Sequence, residues 1–307
     1  MRLFDTALAR ALRPVALTAA VLVPLAAQAQ PVTLQTSDGP LELTAVPETI
    51  VAYELASVDT LAALGHAPAG VPNPIYVENI AAQVQDAETV GTLFEPDFEA
   101  VAAMQPDLIV IGARSLKQKD ALAGIAPVAD MTVGPDAIAD GLAQLAAFGA
   151  LLGEEEKAAE ITAGIETRLA AAKEAVAAHG GKALIVLTNG PKVSTYGADS
   201  RFGWLHTALD WPEAAEGIEA STHGEAVSFE FIADINPDTL IVVDRGTAVN
   251  ADAQSGKATL DNELVHGTKA WAEGRVLFLS APEIYISSGG ATSIMTVLDE
   301  ITAGLTE

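Results

Sequence analysis

"FEAVAAMQPDLIVIGAR" (residues 98–114) and "FEFIADINPDTLIVVDR" (residues 229–245) are two copies of one pattern. Each opens on Phe-Glu, carries Pro-Asp at its centre, continues as an apolar run and stops on an arginine. Every match falls at the same offset of 131 residues. A short run of Leu, Ile and Val bounded by turn residues reads as a buried strand. The arginine after it then lies on the loop at the strand's carboxyl end, which in open α/β sheets is the edge where ligands bind.

Working outward, similar apolar runs recur along the chain. Probable strands are Thr49–Tyr53, Ala69–Pro72, Leu108–Gly112 and Pro127–Met131, then Lys182–Thr188, Val193–Gly197, Leu240–Asp244 and Arg275–Leu279. They alternate with Ala-rich stretches of helical spacing, such as Val58, Leu61, Ala62 and Leu64 after an N-cap at Ser57 or Asp59. That alternation is the pattern of βα units. Between the two sets lies "DAIADGLAQLAAFGALLG" (residues 136–153), running into "EEEKAAEITAGIETRLAAAKEAVAAHGG" (residues 154–181). Glu154, Glu155 and Glu156 crowd the start of the second piece, where the helix dipole favours anions, and Gly180-Gly181 end it. Residues 154–179 as one helix would span about 39 Å at roughly 1.5 Å per residue. The expected fold is therefore α/β, with two Rossmann-like lobes built on central parallel sheets and joined by a long rigid interlobe helix. The bounds are an N-terminal lobe over 45–140, a helical region over 141–180 and a C-terminal lobe over 181–307. One continuous doubly wound domain is the alternative.

The first residues stand apart. Arg2, Arg10 and Arg13 precede an apolar run from about Val15, and Ala27-Gln28-Ala29 supplies small residues in A-x-A order. Residues 1–29 thus read as a signal peptide cleaved before Gln30; the run is short for the alternative, a bilayer anchor. The 307-residue sequence contains no cysteine, so it has neither disulfides nor a lipid-modifiable N-terminal Cys. The expected location is the periplasm, in soluble form.

The formal charge of −25 excludes nucleic acid and anionic membrane surfaces as natural partners. After residue 29 the arginines are Arg114, Arg168, Arg201, Arg245 and Arg275. Arg114 and Arg245 end the repeats, and Arg201 sits in the loop "YGADSRFGW" after another strand. Arg168 falls in a helical stretch and Arg275 begins a strand, so both have ordinary structural readings. A surface ion pair is the alternative for any single loop arginine. As a set, Arg114, Arg201 and Arg245 point to a cationic cleft, suited to an anion whose charge is spread over several oxygens.

His223 in "STHGEAVSFE" and Tyr285 in "EIYISSGG" lie in polar loops. Imidazole nitrogen and phenolate oxygen are a reasonable pair for ferric iron, although a solvent-facing His and a half-buried Tyr are the ordinary reading. His66, His179, His206 and His266 sit in or beside helical stretches and read as structural. Enzyme motifs are lacking: there is no G-x-G-x-x-G after the first strand, no G-x-S-x-G elbow and no thiol, and "SGKAT" (residues 255–259) is not a P-loop. "SSGGATS" (residues 287–293) could cradle a phosphate but more often marks a turn.

Taken together, "VGTLFEPDFEAVAAMQPDLIVIGARS", "VSTYGADSRFGWLHTALD", "STHGEAVSFEFIADINPDTLIVVDRG" and "LDNELV" followed by "IYISSGG" resemble the periplasmic ferric-siderophore-binding proteins of ABC importers, in the catecholate, petrobactin-like branch. The likeness runs from about residue 45 to 305. It implies a monomeric, non-enzymatic carrier with no intrinsic cofactor, its iron arriving as Fe(III) in a siderophore complex. By that resemblance Arg114, Arg201 and Arg245 face the anionic cargo, with Tyr53 and Tyr196 counted beside them as siderophore-binding. His223 and Tyr285 complete the iron's coordination when the siderophore offers four oxygens. Glu99 and Glu230, one per repeat, contact the inner-membrane ABC permease. A haem or cobalamin carrier of the same fold is the rival reading, disfavoured by an aromatic content of 5%; an exported α/β enzyme is the rival of a different class.

Overall fold

The computed structural model describes residues 31–221, 223–250 and 252–306; the signal-peptide reading of residues 1–29 lies outside them. The described residues form twelve strands: β1 (Val32–Thr36), β2 (Gly39–Leu43), β3 (Ile50–Ala52), β4 (Gly70–Val71), β5 (Glu88–Thr89), β6 (Leu108–Ile111), β7 (Val128–Asp130), β8 (Ala183–Asn189), β9 (Lys192–Tyr196), β10 (Glu225–Val227), β11 (Thr239–Asp244) and β12 (Val276–Leu279). All eight strands expected from the sequence form. One sheet has the order β5-β4-β3-β6-β7 and is wholly parallel. The other has the order β10-β9-β8-β11-β12, and here the expectation of a parallel sheet needs correcting. β8, β11 and β12 are parallel, but β8 turns straight back into β9, which runs antiparallel to both β8 and β10. Gly190, at a positive φ of 57° in that tight turn, makes the reversal possible without a crossover helix.

The two repeats fold alike down to their end groups. Phe98–Met104 and Phe229–Ile235 are short helices. Asp97 caps the first by accepting from the Glu99 and Ala100 amides at 3.1 and 3.0 Å; Ser228 caps the second by accepting from the Phe231 amide at 3.3 Å. Each helix ends on a left-handed residue, Gln105 (φ 49°) and Asn236 (φ 48°), followed by a proline that cannot continue it. The repeated aspartate then bonds the residue just before the neighbouring strand of its sheet. Asp107 Oδ2 accepts from the Thr49 amide at 2.9 Å, and Asp238 Oδ2 accepts from the Lys182 amide at 2.8 Å. The duplicated Pro-Asp is thus a splice that sets the register of β6 on β3 and of β11 beside β8. Because the chain reverses at the left-handed residue, the helix start and the strand end share one edge of each sheet. Glu and Arg of a repeat therefore sit at the same edge.

Glu155–His179 is a single 25-residue helix, starting one residue later than expected. Ala158, Ile161, Ile165, Ala172, Ala175 and Val176 are its buried face. It packs against Ala137–Leu152 and against the C-terminal helix Ala291–Thr306, and one apolar core runs through both lobes along these helices. The outer faces of the sheets have smaller clusters of their own.

The C-terminal helix is tied across the lobes. Asp59, fully buried in the helix Leu55–Ala63, accepts from the Ser293 amide at 2.8 Å and from the Thr292 hydroxyl, while Thr60 Oγ1 accepts from the Ala291 amide at 3.3 Å. Asp59 is therefore an N-cap, but of the last helix rather than of its own, which starts at Leu55 after Glu54. This occupies the helix start that "SSGGATS" leads into, so that segment offers no phosphate cradle. The β1–β2 hairpin also belongs to the first lobe, upstream of residue 45: Ser37 donates its amide to Asp130 O and its hydroxyl to Thr132 O.

Candidate functional site

The arginines of the two repeats and the arginine of the intervening loop meet at one side chain. Tyr285 lies in a π-helical turn, Pro282–Ile286, between β12 and the C-terminal helix. Arg114, from the loop after β6, donates to Tyr285 O at 2.8 Å and to Ile286 O at 3.1 Å. Arg201, from the loop after β9, donates to the same Tyr285 carbonyl at 2.5 Å. Arg245 opens the helix Arg245–Val249 directly after β11, and its Nε donates to the Tyr285 hydroxyl at 2.8 Å. The three guanidinium carbons lie 5.9, 4.4 and 5.6 Å from the Tyr285 ring centre. The fold thus brings Arg114, Arg201, Arg245 and Tyr285 together.

Local sequence explains each placement. Arg201 is carried by a compact turn in which Ser200 Oγ donates to Gly197 O at 2.6 Å, and a side chain at Gly203 would run into the Ala198 carbonyl. Arg245 follows Asp244, whose two oxygens accept from the Thr247 and Gly256 amides at 3.3 and 2.6 Å and so pin the start of that helix. Arg114 is backed by Glu54, buried with an oxygen 3.9 Å from its Nη1. Gly112 is needed there, since a Cβ would collide with the Glu54 carboxylate. Burial raises the Glu54 pKa against the lowering pull of Arg114.

Beside this cluster is a cavity of about 280 Å³ lined by Leu187, Asn189, Lys192, Ser194, Tyr196, Arg201, His223, Arg245 and Tyr285. Arg114 bonds Tyr285 but is not among the lining residues. Burial and the Arg114 charge push the Arg201 pKa down, though a guanidinium stays protonated near neutral pH. Burial pushes the Tyr285 phenol up, but the Arg245 hydrogen bond and the fields of Arg201, Arg245 and Arg114 outweigh it and hold the group below its ordinary value. Tyr196 lies edge-to-face on Phe202 at 4.7 Å, and burial pushes its phenol up to about 12. The wall can thus offer fixed cations, an activated phenol and one exposed imidazole, His223.

Tyr53 does not belong to this wall. It is 1% exposed, packs in the outer core of the first lobe with Val51, Val90 and Val101, and donates its hydroxyl to Val90 O at 2.6 Å. Its inclusion among siderophore-binding residues is corrected accordingly. Glu99 and Glu230 are exposed in the first turns of their helices. Arg168 and Arg275 pair with Asp299 and Glu273 at 2.9 and 3.3 Å, and His66, His179, His206 and His266 bond Glu154, Thr239, Trp211 O and Asp261. All six fill the structural roles expected of them. Sequence reasoning missed Glu54 and Lys192. The buried acid had a cue in the crowding at Gly112 only after folding; the lysine opens β9 just after the β8–β9 turn, which the sequence did not reveal as a hairpin.

A profile of the periplasmic binding protein family matches residues 50–283. The chain belongs to that family. This periplasmic binding protein is 33% identical over 263 residues to the petrobactin-binding protein YclQ of Bacillus subtilis, covering 84% of this chain and 83% of that protein. It is 28% identical over 285 residues to the ferric-anguibactin-binding protein FatB of Vibrio anguillarum, covering 89% and 87%. Its fold matches the crystal structure of YclQ with a TM-score of 0.83 at 30% identity, over 91% of this chain and 99% of that one. The catecholate-siderophore binding protein VctP of Vibrio cholerae gives 0.83 at 27% identity, over 89% and 100%. The two-lobed fold and the family expected from the sequence are both met. Among the described residues no helix is long and apolar enough to cross a membrane.

Proposed function

We propose that this periplasmic binding protein captures a ferric siderophore of the catecholate type and hands it to an inner-membrane ABC permease. One observation carries the reading: three of the arginines come from separate loops of two lobes and converge on a single tyrosine beside a polar cavity. A ferric catecholate is a compact anion whose charge lies on ring oxygens, and guanidinium forks suit it. A pair of unit charges about 4 Å apart is worth about 4 kcal/mol at an effective dielectric of about 20, so two cationic contacts offset much of the cost of taking the complex out of water. The names of the relatives, petrobactin and ferric anguibactin among them, support a ferric cargo.

The chemistry is capture. Arg201 and Arg245 meet the cargo's charge in the cavity, with Tyr196 as a rigid wall. Where the siderophore leaves iron positions open, the lowered phenol of Tyr285 and the imidazole of His223 supply oxygen and nitrogen. Glu99 and Glu230 stand at the same sheet edges as the repeat arginines, one per lobe, and offer a two-point anionic contact to the permease. The protein works as a monomer. A haem or cobalamin cargo fits less well, because five of the nine lining residues are polar or cationic (Arg201, Arg245, Lys192, Ser194 and Asn189) and Leu187 is the one aliphatic side chain.

The test is spectroscopic. With a tetradentate ferric bis-catecholate, the wild-type protein should shift the complex's visible charge-transfer band, and His223→Ala with Tyr285→Phe should abolish that shift. An unchanged band in wild type, or the same shift in the double variant, contradicts iron ligation by these residues.

A further inference from the structure

Three like charges gathered from two lobes need something to hold them. Arg114 has a carboxylate within 4.0 Å, that of Glu54; among the described residues Arg201 and Arg245 have none. Each is instead held by Tyr285. The turn Pro282–Ile286 ends there, and the last carbonyls of a helical turn lack partners of their own. Arg114 and Arg201 fill that need by donating to Tyr285 O at 2.8 and 2.5 Å, with Arg114 adding Ile286 O at 3.1 Å. The Arg201 guanidinium stacks 4.4 Å from the ring centre, and Arg245 donates to the hydroxyl at 2.8 Å. Cations over an aromatic face are attracted by its quadrupole. One residue therefore uses its carbonyl, its ring and its hydroxyl to order three cations from three loops, and Arg114 makes the bond across the lobes.

We infer that Tyr285 is a positioning residue for the arginine cluster, needed for any anionic cargo and not only for one that leaves iron positions open. This deepens the siderophore reading and rests on it for the ligand used in the binding arm. Arg114 acts with Tyr285 as an interlobe tie, while Arg201 and Arg245 present their charge to the cavity.

The two roles separate with a hexadentate ferric tris-catecholate, whose iron has no open position. Iron ligation alone leaves its affinity the same in Tyr285→Phe and Tyr285→Ala. Positioning keeps it within about threefold in Tyr285→Phe, which retains ring and carbonyl, and lowers it at least about tenfold in Tyr285→Ala, which loses the stacking surface. A ligand-free arm uses the small number of arginines. In nitrogen-15 spectra, the Nε resonances of Arg201 and Arg245 should shift and exchange faster in Tyr285→Ala, and Arg245 alone in Tyr285→Phe. Arg168 and Arg275, paired elsewhere, should stay put and report an intact fold. Unchanged Arg201 resonances in Tyr285→Ala, or hexadentate affinity unchanged or increased there, overturn the inference. If wild type binds no ferric catecholate, the functional reading fails while the ligand-free arm still decides the positioning.

Discussion

Tyr53 and Tyr285 show how one residue type takes opposite roles in the same protein. Tyr53 directly follows a strand both of whose faces are apolar: Ile50 and Ala52 join the central core, Val51 and Tyr53 the outer cluster. Alternation in sequence cannot say which face of such a strand meets a ligand, which is why Tyr53 misled. We predict that Tyr53→Phe leaves ferric-complex affinity within about twofold and costs about 1 kcal/mol of stability by removing the hydroxyl's bond to the Val90 carbonyl, which keeps its bond from the Asp97 amide; weakened binding with unchanged stability would reverse that assignment. Tyr285 is the contrary case. Its folded pKa is depressed, so its contribution to stability is present above the unfolded value near 10 and is lost as pH falls through the folded value. In an alkaline titration followed by phenolate absorbance, Tyr285→Phe should remove a tyrosine ionising below the ordinary range, and Arg245→Ala should move it upward. If Tyr285→Phe removes no such step, the arginines do not act on this phenol.

At the scale of elements, the repeat was legible because it is written in backbone-setting residues. Cap, left-handed residue, proline and aspartate recur at one offset, and all of them do the same work in both copies. Gln105 holds its left-handed conformation with a long side chain that glycine would not need, so Gln105→Gly should raise stability by about 0.5–1 kcal/mol, and Asn236→Gly by less, since Asn tolerates that region. A loss on Gln105→Gly in denaturant unfolding would contradict this. What escaped were elements of two or three residues, β4's neighbour β5 and the polar edge β10, too short for any period to register. The β1–β2 hairpin carries a cue in the sequence, Asp38-Gly39 between alternating residues. The Asp59 tie was half legible: the residue was recognised as a cap, but a cap for a helix more than 230 positions away is set by packing alone. Burial raises the folded pKa of Asp59, so its contribution is present below the unfolded value and is lost as pH rises through the folded value. Asp59→Asn should therefore gain on wild type between acid and neutral pH, whereas Asp59→Ala, which leaves the Ser293 amide unpaired, should lose about 2 kcal/mol. Melting temperatures across that range distinguish the two outcomes.

The whole molecule is two similar sheets locked by three long helices that share one core. A 25-residue helix packed along its length, a last helix capped from the other lobe and an arginine bonded across the cleft leave room for small adjustments on binding rather than a wide hinge. Glu99 and Glu230 are exposed at the starts of their helices, one per repeat, and the proposed function assigns them to the permease contact. Glu99→Ala and Glu230→Ala should leave cargo affinity unchanged and reduce uptake, the pair together more than either alone; a loss of cargo affinity would place those residues in the cavity instead. The central claim is capture of an anionic ferric complex, and it meets its most direct test in a fluorescence titration of the purified protein. Addition of ferric bis- or tris-catecholate should quench Trp204, Trp211 and Trp271 emission saturably at one complex per chain, and Arg201→Ala with Arg245→Ala should abolish saturation. Absence of saturable quenching with every such complex, or equal binding by the arginine double variant, would contradict it.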